Sequence, residues 1–173
     1  MQAERGYIHL YTGNGKGKTT AALGLAIRAA GAGKKVFIAQ FVKGMPYAEH
    51  KALKRFPEIE VKQYGLDCFI EKEPTREDIM AAQTGLNEVS EIVQKNACDV
   101  LILDEACIAL HYKLFELNEI IHLLREKPAS MEIILTGRYA PKELMDKADL
   151  VTEMKEIKHY YTKGIQARKG IEY

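Results

Sequence analysis

The chain has 173 residues, and its 25 Lys and Arg nearly balance 24 Asp and Glu, for a formal net charge of +1. This length suits one domain, residues 1–173, with a core of its own. The charge balance provides no basic surface for nucleic acid. No apolar run reaches the length of a membrane span, and Glu4 and Arg5 do not fit a secretory leader, so a cytoplasmic location is expected.

The first element is a strand carrying Tyr7, Ile8 and Leu10. It runs into Tyr11-Thr-Gly-Asn-Gly-Lys-Gly-Lys-Thr-Thr20, and a helical pattern follows over 21–30. Strand, glycine-rich loop and helix in that order make a phosphate-binding loop. Gly13, Gly15 and Gly17 let the backbone turn tightly around a polyanion. The N–H groups of Gly13, Asn14, Gly15, Lys16, Gly17, Lys18, Thr19 and Thr20 line the cradle, and the helix N-terminus adds partial positive charge. Lys18 brings a full charge to the phosphates, and the Thr19 hydroxyl is placed for Mg²⁺. The usual motif opens with glycine, separated by four residues from the Gly-Lys pair, where this chain has Thr12.

Further along, 35–41 is a buried strand and 59–64 a shorter one. The segment 43–75, with Gly44, Pro46, Pro57, Gly65 and Pro74, is the least regular and is expected to cover the nucleotide or hold a second substrate. Thr75 is an N-cap with Asp78 as its capping-box partner, and Ile79, Ala82, Leu86, Val89 and Val93 form a helical stripe. Val100-Leu-Ile-Leu-Asp-Glu105 is a strand ending in two acids. Leu114, Leu117, Ile121 and Leu124 repeat at helical spacing until Pro128. A strand at 133–135 leads into Thr136-Gly137-Arg138, a short helix spans 141–147 with Pro141 in its first turn, and 150–154 is a sixth apolar segment.

Six strands alternating with helices predict an α/β fold: a six-stranded, mostly parallel sheet with helices on both faces. Ligands of such sheets sit at the strands' carboxyl ends. Of the two acids, one can serve Mg²⁺ and the other can hold its water or orient Thr19. An acidic pair also favours the P-loop branch with a strand inserted between loop strand and acidic strand. Arg138 then falls at the sheet centre as a phosphate clamp. Cys68, Cys98 and Cys107 contain no C-x-x-C pair, which argues for reduced thiols and against zinc or a disulfide framework. No serine or cysteine nucleophile with a base is evident, so any group transfer needs a nucleophile from the substrate.

Several of these segments together resemble the P-loop class of ATP:corrinoid (cob(I)alamin) adenosyltransferases. They are the loop with its non-glycine start, Gln40-Phe-Val-Lys-Gly44, Leu103-Asp-Glu105, Ile134-Leu-Thr-Gly-Arg138, and the tail with Lys158-His159, Gly164, Ala167 and Gly170-Ile-Glu-Tyr173. The resemblance implies a RecA-like P-loop domain. It implies that Co(I) of a reduced corrinoid attacks the 5′-carbon of Mg-ATP and releases tripolyphosphate. Gly13 to Thr20 would hold the triphosphate, Lys18 and Arg138 would stabilise it as it leaves, and Thr19 and Glu105 would hold Mg²⁺ with Asp104 in support. The segment carrying Gly65, Leu66, Cys68 and Phe69 matches the corrinoid side, but Leu66 and Cys68 stand where the family has aromatics. The resemblance further implies a homodimer and a reduced flavoprotein as electron donor. Two rival readings share these motifs: a RecA-like ATPase, and a non-catalytic corrinoid or ATP sensor.

Overall fold

The structure, a computed structural model, describes residues 5–66 and 73–173. The elements are β1 (Ile8–Thr12), α1 (Lys18–Gly31), β2 (Val36–Phe41), α2 (Ala48–Leu53), β3 (Ile59–Tyr64), α3 (Arg76–Gln94), β4 (Val100–Asp104), α4 (Ala106–His111), α5 (Leu117–Arg125), β5 (Glu132–Thr136), α6 (Lys142–Lys147) and β6 (Leu150–Glu153). They form one six-stranded sheet in the order β3-β2-β4-β5-β1-β6. Every pairing is parallel. The sequence expectation of a mostly parallel sheet thus becomes an entirely parallel one. β5 lies between β1 and β4, as the acidic pair led us to expect.

Hydrophobicity explains the order. Every residue of β2 and β4 is buried, because helices cover both faces of a parallel sheet's centre. On one face Leu101, Leu103, Ile133 and Leu135 pack with Ala82, Leu86 and Val89 of α3 and Ile120 and Leu123 of α5. On the other, Ile38, Val100, Ile102 and Ile134 meet Ala22, Ala26, Ala29 and Ala30 of α1. Small residues on α1 let it lie close to the sheet, which seats its N-terminus above the strand ends. β6, one of the two edge strands, is exposed along its whole length.

Local signals explain most boundaries. Thr75 Oγ1 accepts from Asp78 N at 3.2 Å, and Asp78 Oδ2 accepts from Thr75 N at 2.8 Å, closing the capping box. The stripe behind it starts later than its spacing implies, since Ile79 is 40% exposed. Leu114 stands between α4 and α5, outside both helices, and buries there as a linker residue. Pro141 is the N-cap of α6, one position before the first turn. Burial holds the Cys98 thiol near pKa 11 and the Cys107 thiol near 12, so both are inert at neutral pH.

Two helical glycines make a test of packing. A Cβ on Gly85 would lie 2.4 Å from the Tyr64 ring, whose hydroxyl is held at 2.7 Å by Glu88. A Cβ on Gly24 in α1 would meet nothing within 4 Å. Both gain helix propensity as alanine, by about 1 kcal/mol. Gly24→Ala is expected to raise the urea midpoint. Gly85→Ala is expected to lower it, because overpacking costs about 1–3 kcal/mol. Two shifts of the same sign would contradict the assigned contact.

Candidate functional site

The glycine loop is shaped by its neighbours as well as its own sequence. Gly13 has φ 95° and Gly17 φ 120°, conformations that L side chains rarely adopt. A Cβ on Gly15 would come 2.7 Å from the Met154 carbonyl, because Gly15 N donates to that oxygen at 2.6 Å. Met154 N in turn donates to Thr12 O at 2.8 Å, so the exit of β6 props the loop from beneath. Thr12 explains the missing first glycine: it ends β1 paired with Glu153 and has no positive φ, so a side chain fits. Gly17 caps α1 without a side-chain acceptor, which leaves the first-turn N–H groups to an anion.

Lys18 is buried and donates to the carbonyls of Gly13 at 2.8 Å and Gly15 at 2.7 Å. Burial, and then the charge of nearby Arg138, lower its pKa. A buried ammonium held only by neutral carbonyls is poised to favour phosphate oxygens. Lys16 points elsewhere. Its ammonium donates to Glu172 at 2.7 Å, to Ile171 O at 2.8 Å and to Tyr160 at 3.4 Å. It fastens the C-terminal tail to the loop.

Asp104 is fully buried, and both its oxygens are occupied. Oδ1 accepts from Thr19 at 2.8 Å and Thr136 at 2.7 Å, while Oδ2 accepts from Lys43 at 2.9 Å and Gln40 at 3.1 Å. Burial raises its pKa, but Lys43 and the hydroxyl donors outweigh burial and leave it below the ordinary value. Glu105 follows in a left-handed conformation, φ 58°, with its N–H donating to Thr136 at 2.9 Å. That turn separates the two carboxylates: Asp104 faces the interior and Glu105 lines the cavity. Burial, then the Asp104 charge, raise the Glu105 pKa.

Sequence reasoning located the carboxyl end of β2 but missed what Lys43 does there. Its ammonium touches Asp104 at 2.9 Å and Thr19 Oγ1 at 3.3 Å, and stands 3.9 Å from Glu105. Burial lowers its pKa, and the two carboxylates more than reverse that. Val42 before it has φ 63°, a costly conformation for a β-branched residue. Two glycines permit this turn. A Cβ on Gly65 would meet Lys43 N at 2.4 Å, and one on Gly44 would meet the Leu66 backbone at 2.4 Å.

Gln40 extends the network outward. With its amide nitrogen on Asp104, its Oε1 accepts from His50 Nε2, while His50 Nδ1 accepts from Tyr47 N at 3.1 Å. Both ring nitrogens are thus used by a neutral imidazole, and burial lowers the His50 pKa. A histidine harder to protonate when folded stabilises fully above the unfolded value of about 6.5, and this is lost as pH falls through the folded value. The urea midpoint is expected to drop between pH 7.5 and 5.5, and less in His50→Gln. Equal drops in both would remove His50 as the cause.

Arg138 follows Gly137, whose φ of 137° and 2.8 Å Cβ approach to Cys107 admit only glycine. Tyr139, at φ 61°, stacks on His111 with ring centroids 4.3 Å apart. A cavity of about 1050 Å³ joins these parts. Asn14, Gly15, Lys16, Gly17, Lys18, Thr19 and Thr20 line it together with Glu105, Arg138 and the tail from Gly170 to Tyr173. The structure therefore brings together the loop, the acid pair and Arg138. Gly65 and Leu66 do not line this cavity; they back the turn at Lys43 and Gly44. Cys68 and Phe69 lie outside the described residues.

Comparison with known proteins adds independent findings. The family model described as ATP:corrinoid adenosyltransferase BtuR/CobO/CobP matches residues 4–173. A corrinoid adenosyltransferase of Escherichia coli K12 is 36% identical over 174 residues, covering 99% of this chain and 88% of that protein. One from Pseudomonas aeruginosa is 34% identical, covering 98% of this chain and 85% of that protein. Among solved structures, the flagellar accessory protein FlaH of Methanocaldococcus jannaschii superposes with a TM-score of 0.64 at 14% identity, covering 86% of this chain and 71% of that one. That likeness concerns the fold alone, which here is a six-stranded parallel α/β sheet with a glycine-rich loop between β1 and α1.

Proposed function

We infer that this chain, which belongs to the ATP:corrinoid adenosyltransferase family BtuR/CobO/CobP, transfers the adenosyl group of ATP to a reduced corrinoid. It is a transferase whose substrates are ATP and the corrinoid. The cobalt–carbon bond forms as the bond from the 5′-carbon to the triphosphate oxygen breaks, and the electron pair of that bond leaves with tripolyphosphate. The nucleophile is the corrinoid's own reduced cobalt, and the protein's tasks are positioning and charge neutralisation.

The observation that carries the site reading is the convergence of the glycine loop, Lys18, Thr19, Glu105 and Arg138 on one cavity, with buried Asp104 behind it accepting from Thr19. Residues 13–20 hold the triphosphate. Lys18 and Arg138 draw its departing charge. Asn14 and Thr20 complete the cradle, whereas the Lys16 ammonium is taken up by Glu172 and serves the tail.

The donor set fits magnesium. Thr19, Glu105 and Asp104 offer the oxygen atoms a hard cation wants. Among the described residues no group of three or more His, Cys, Asp or Glu could hold a metal unaided, so phosphate oxygens and water complete the shell. Thr19 and Glu105 are the direct ligands, and Asp104, with both oxygens committed, orients Thr19. When bound, the ion neutralises the triphosphate.

On the corrinoid side we assign Gly65, Leu66, Cys68 and Phe69 by resemblance, with leucine excluding water where the family has an aromatic ring. A homodimer, a reduced flavoprotein donor, a cytoplasmic location and a single domain over 1–173 complete the reading. No helix among the described residues is long and apolar enough to cross a membrane.

The test supplies ATP, Mg²⁺ and chemically reduced corrinoid, and follows phosphorus NMR together with the visible spectrum. Free tripolyphosphate with an adenosylcorrinoid spectrum is expected. ADP and phosphate would instead identify an ATPase, and tight binding without turnover a sensor.

A further inference from the structure

We propose that Lys43 is the resident counter-ion of the acid pair, and that it keeps divalent cations out of the site until they arrive bound to nucleotide. This rests on the assignment of Thr19 and Glu105 to magnesium. The ammonium lies against the groups so assigned: 3.3 Å from Thr19 Oγ1, 3.9 Å from Glu105, and 2.9 Å from Asp104, which orients Thr19. Among the described residues no group of three or more His, Cys, Asp or Glu gathers here to hold a metal ion, so an arriving ion and this ammonium compete for the same oxygens.

The placement is built in. β2 could continue past Phe41 as ordinary extended chain. Instead Val42 adopts φ 63°, which turns the Lys43 side chain inward, and Gly44 and Gly65 let two backbones close against it. Strain of this kind persists where the surroundings enforce it, and it concentrates at working sites. The reason for a cation is also plain. Asp104 has no solvent exposure, and a buried carboxylate left uncompensated is costly.

The competition has a direction. A divalent ion arriving alone must shed water and break the Lys43–Asp104 pair, gaining few protein oxygens in return. An ion arriving on a polyphosphate brings oxygen ligands with it. It also gives the lysine a new partner. Lys43 lines the cavity, and its ammonium already lies 5.6 Å from the centre of the Tyr47 ring. Swung away from Asp104, it meets phosphate charge. Lys43 therefore acts as a positioning residue that couples metal entry to nucleotide entry.

The experiment reads free Mn²⁺ by its EPR signal, with no corrinoid present. Without ATP, the parent protein is expected to leave the signal unchanged, and Lys43→Arg to behave likewise. Lys43→Met is expected to deplete it, with a Kd at least about tenfold lower, equal to about 1.4 kcal/mol. With ATP, which itself binds Mn²⁺, retention is read as Mn²⁺ held with the protein in equilibrium dialysis beyond a protein-free Mn-ATP control, and both parent and Lys43→Met are expected to retain it. Equal behaviour of parent and Lys43→Met without ATP would overturn the proposal, whether both bind or neither does. If Lys43→Met does not fold, the parent alone decides: Mn²⁺ uptake without ATP at the affinity it shows with ATP overturns the proposal. Failure of both proteins to retain Mn²⁺ even with ATP would overturn the magnesium assignment itself and leave adenosyl transfer to be judged by the product assay.

Discussion

Replacing Asp104 with alanine is expected to lower the unfolding free energy by about 3–5 kcal/mol, the cost of stripping a buried charge of its partner. The carboxylate accepts from Thr19, Thr136, Lys43 and Gln40. Its loss strands four donors, the worst being an ammonium whose side chain is 14% exposed. Glu105, at 3.9 Å, is too far to replace the bond. The double variant Asp104→Ala, Lys43→Met should recover part of the loss, because it removes the orphaned charge together with its partner. Urea denaturation of parent, both single variants and the double variant measures the coupling. An Asp104→Ala protein within about 1 kcal/mol of the parent would show that the network adds little.

The second large effect is catalytic. Lys18→Ala and Glu105→Gln are each expected to lower adenosyl transfer by at least about tenfold, or about 1.4 kcal/mol of barrier. The reasons differ. Lys18 is buried, and in the proposed reaction its charge would meet the departing triphosphate where low dielectric strengthens it. Glu105 is the carboxylate of the pair whose oxygens face the cavity. Its variant should respond to magnesium concentration, whereas added magnesium should not rescue Lys18→Ala. Initial rates over a magnesium series separate the two. Near-native turnover in both variants would remove both roles.

The centre of the sheet was legible because burial on both faces leaves continuous apolar runs in β2 and β4, while the edge strands β3 and β6, only partly buried or exposed, were legible from shorter apolar segments. The segments expected at 35–41, 59–64, 100–103, 133–135 and 150–154 match β2 to β6 within one residue at each end. α2 escaped notice, since six residues are too few to establish a helical period. Leu114 misled because its spacing continues that of α5 across a turn. In the site, the glycine loop and acid pair were readable because each is contiguous in the chain. Lys43 was not. Its role depends on a backbone turn at Val42 and on a carboxylate 61 residues away in sequence, and neither leaves a local pattern. Lys16 is the same case in reverse: inside a phosphate motif it looks like a phosphate ligand, until the tail brings Glu172 to it.

Synthesis reaches β1 first, yet β1 hydrogen-bonds only to β5 and β6, the last two strands made. β2, β3 and β4 pair among themselves and can assemble while the ribosome is still working. The opening strand has to wait, holding its glycine turn unsupported, until Ile133 arrives to lie beside Ile8. Contacts between such distant parts of a chain form slowly. A nascent chain halted before β5 would therefore carry the whole phosphate motif and still release ATP, and affinity would appear as a single step once β5 and β6 have followed.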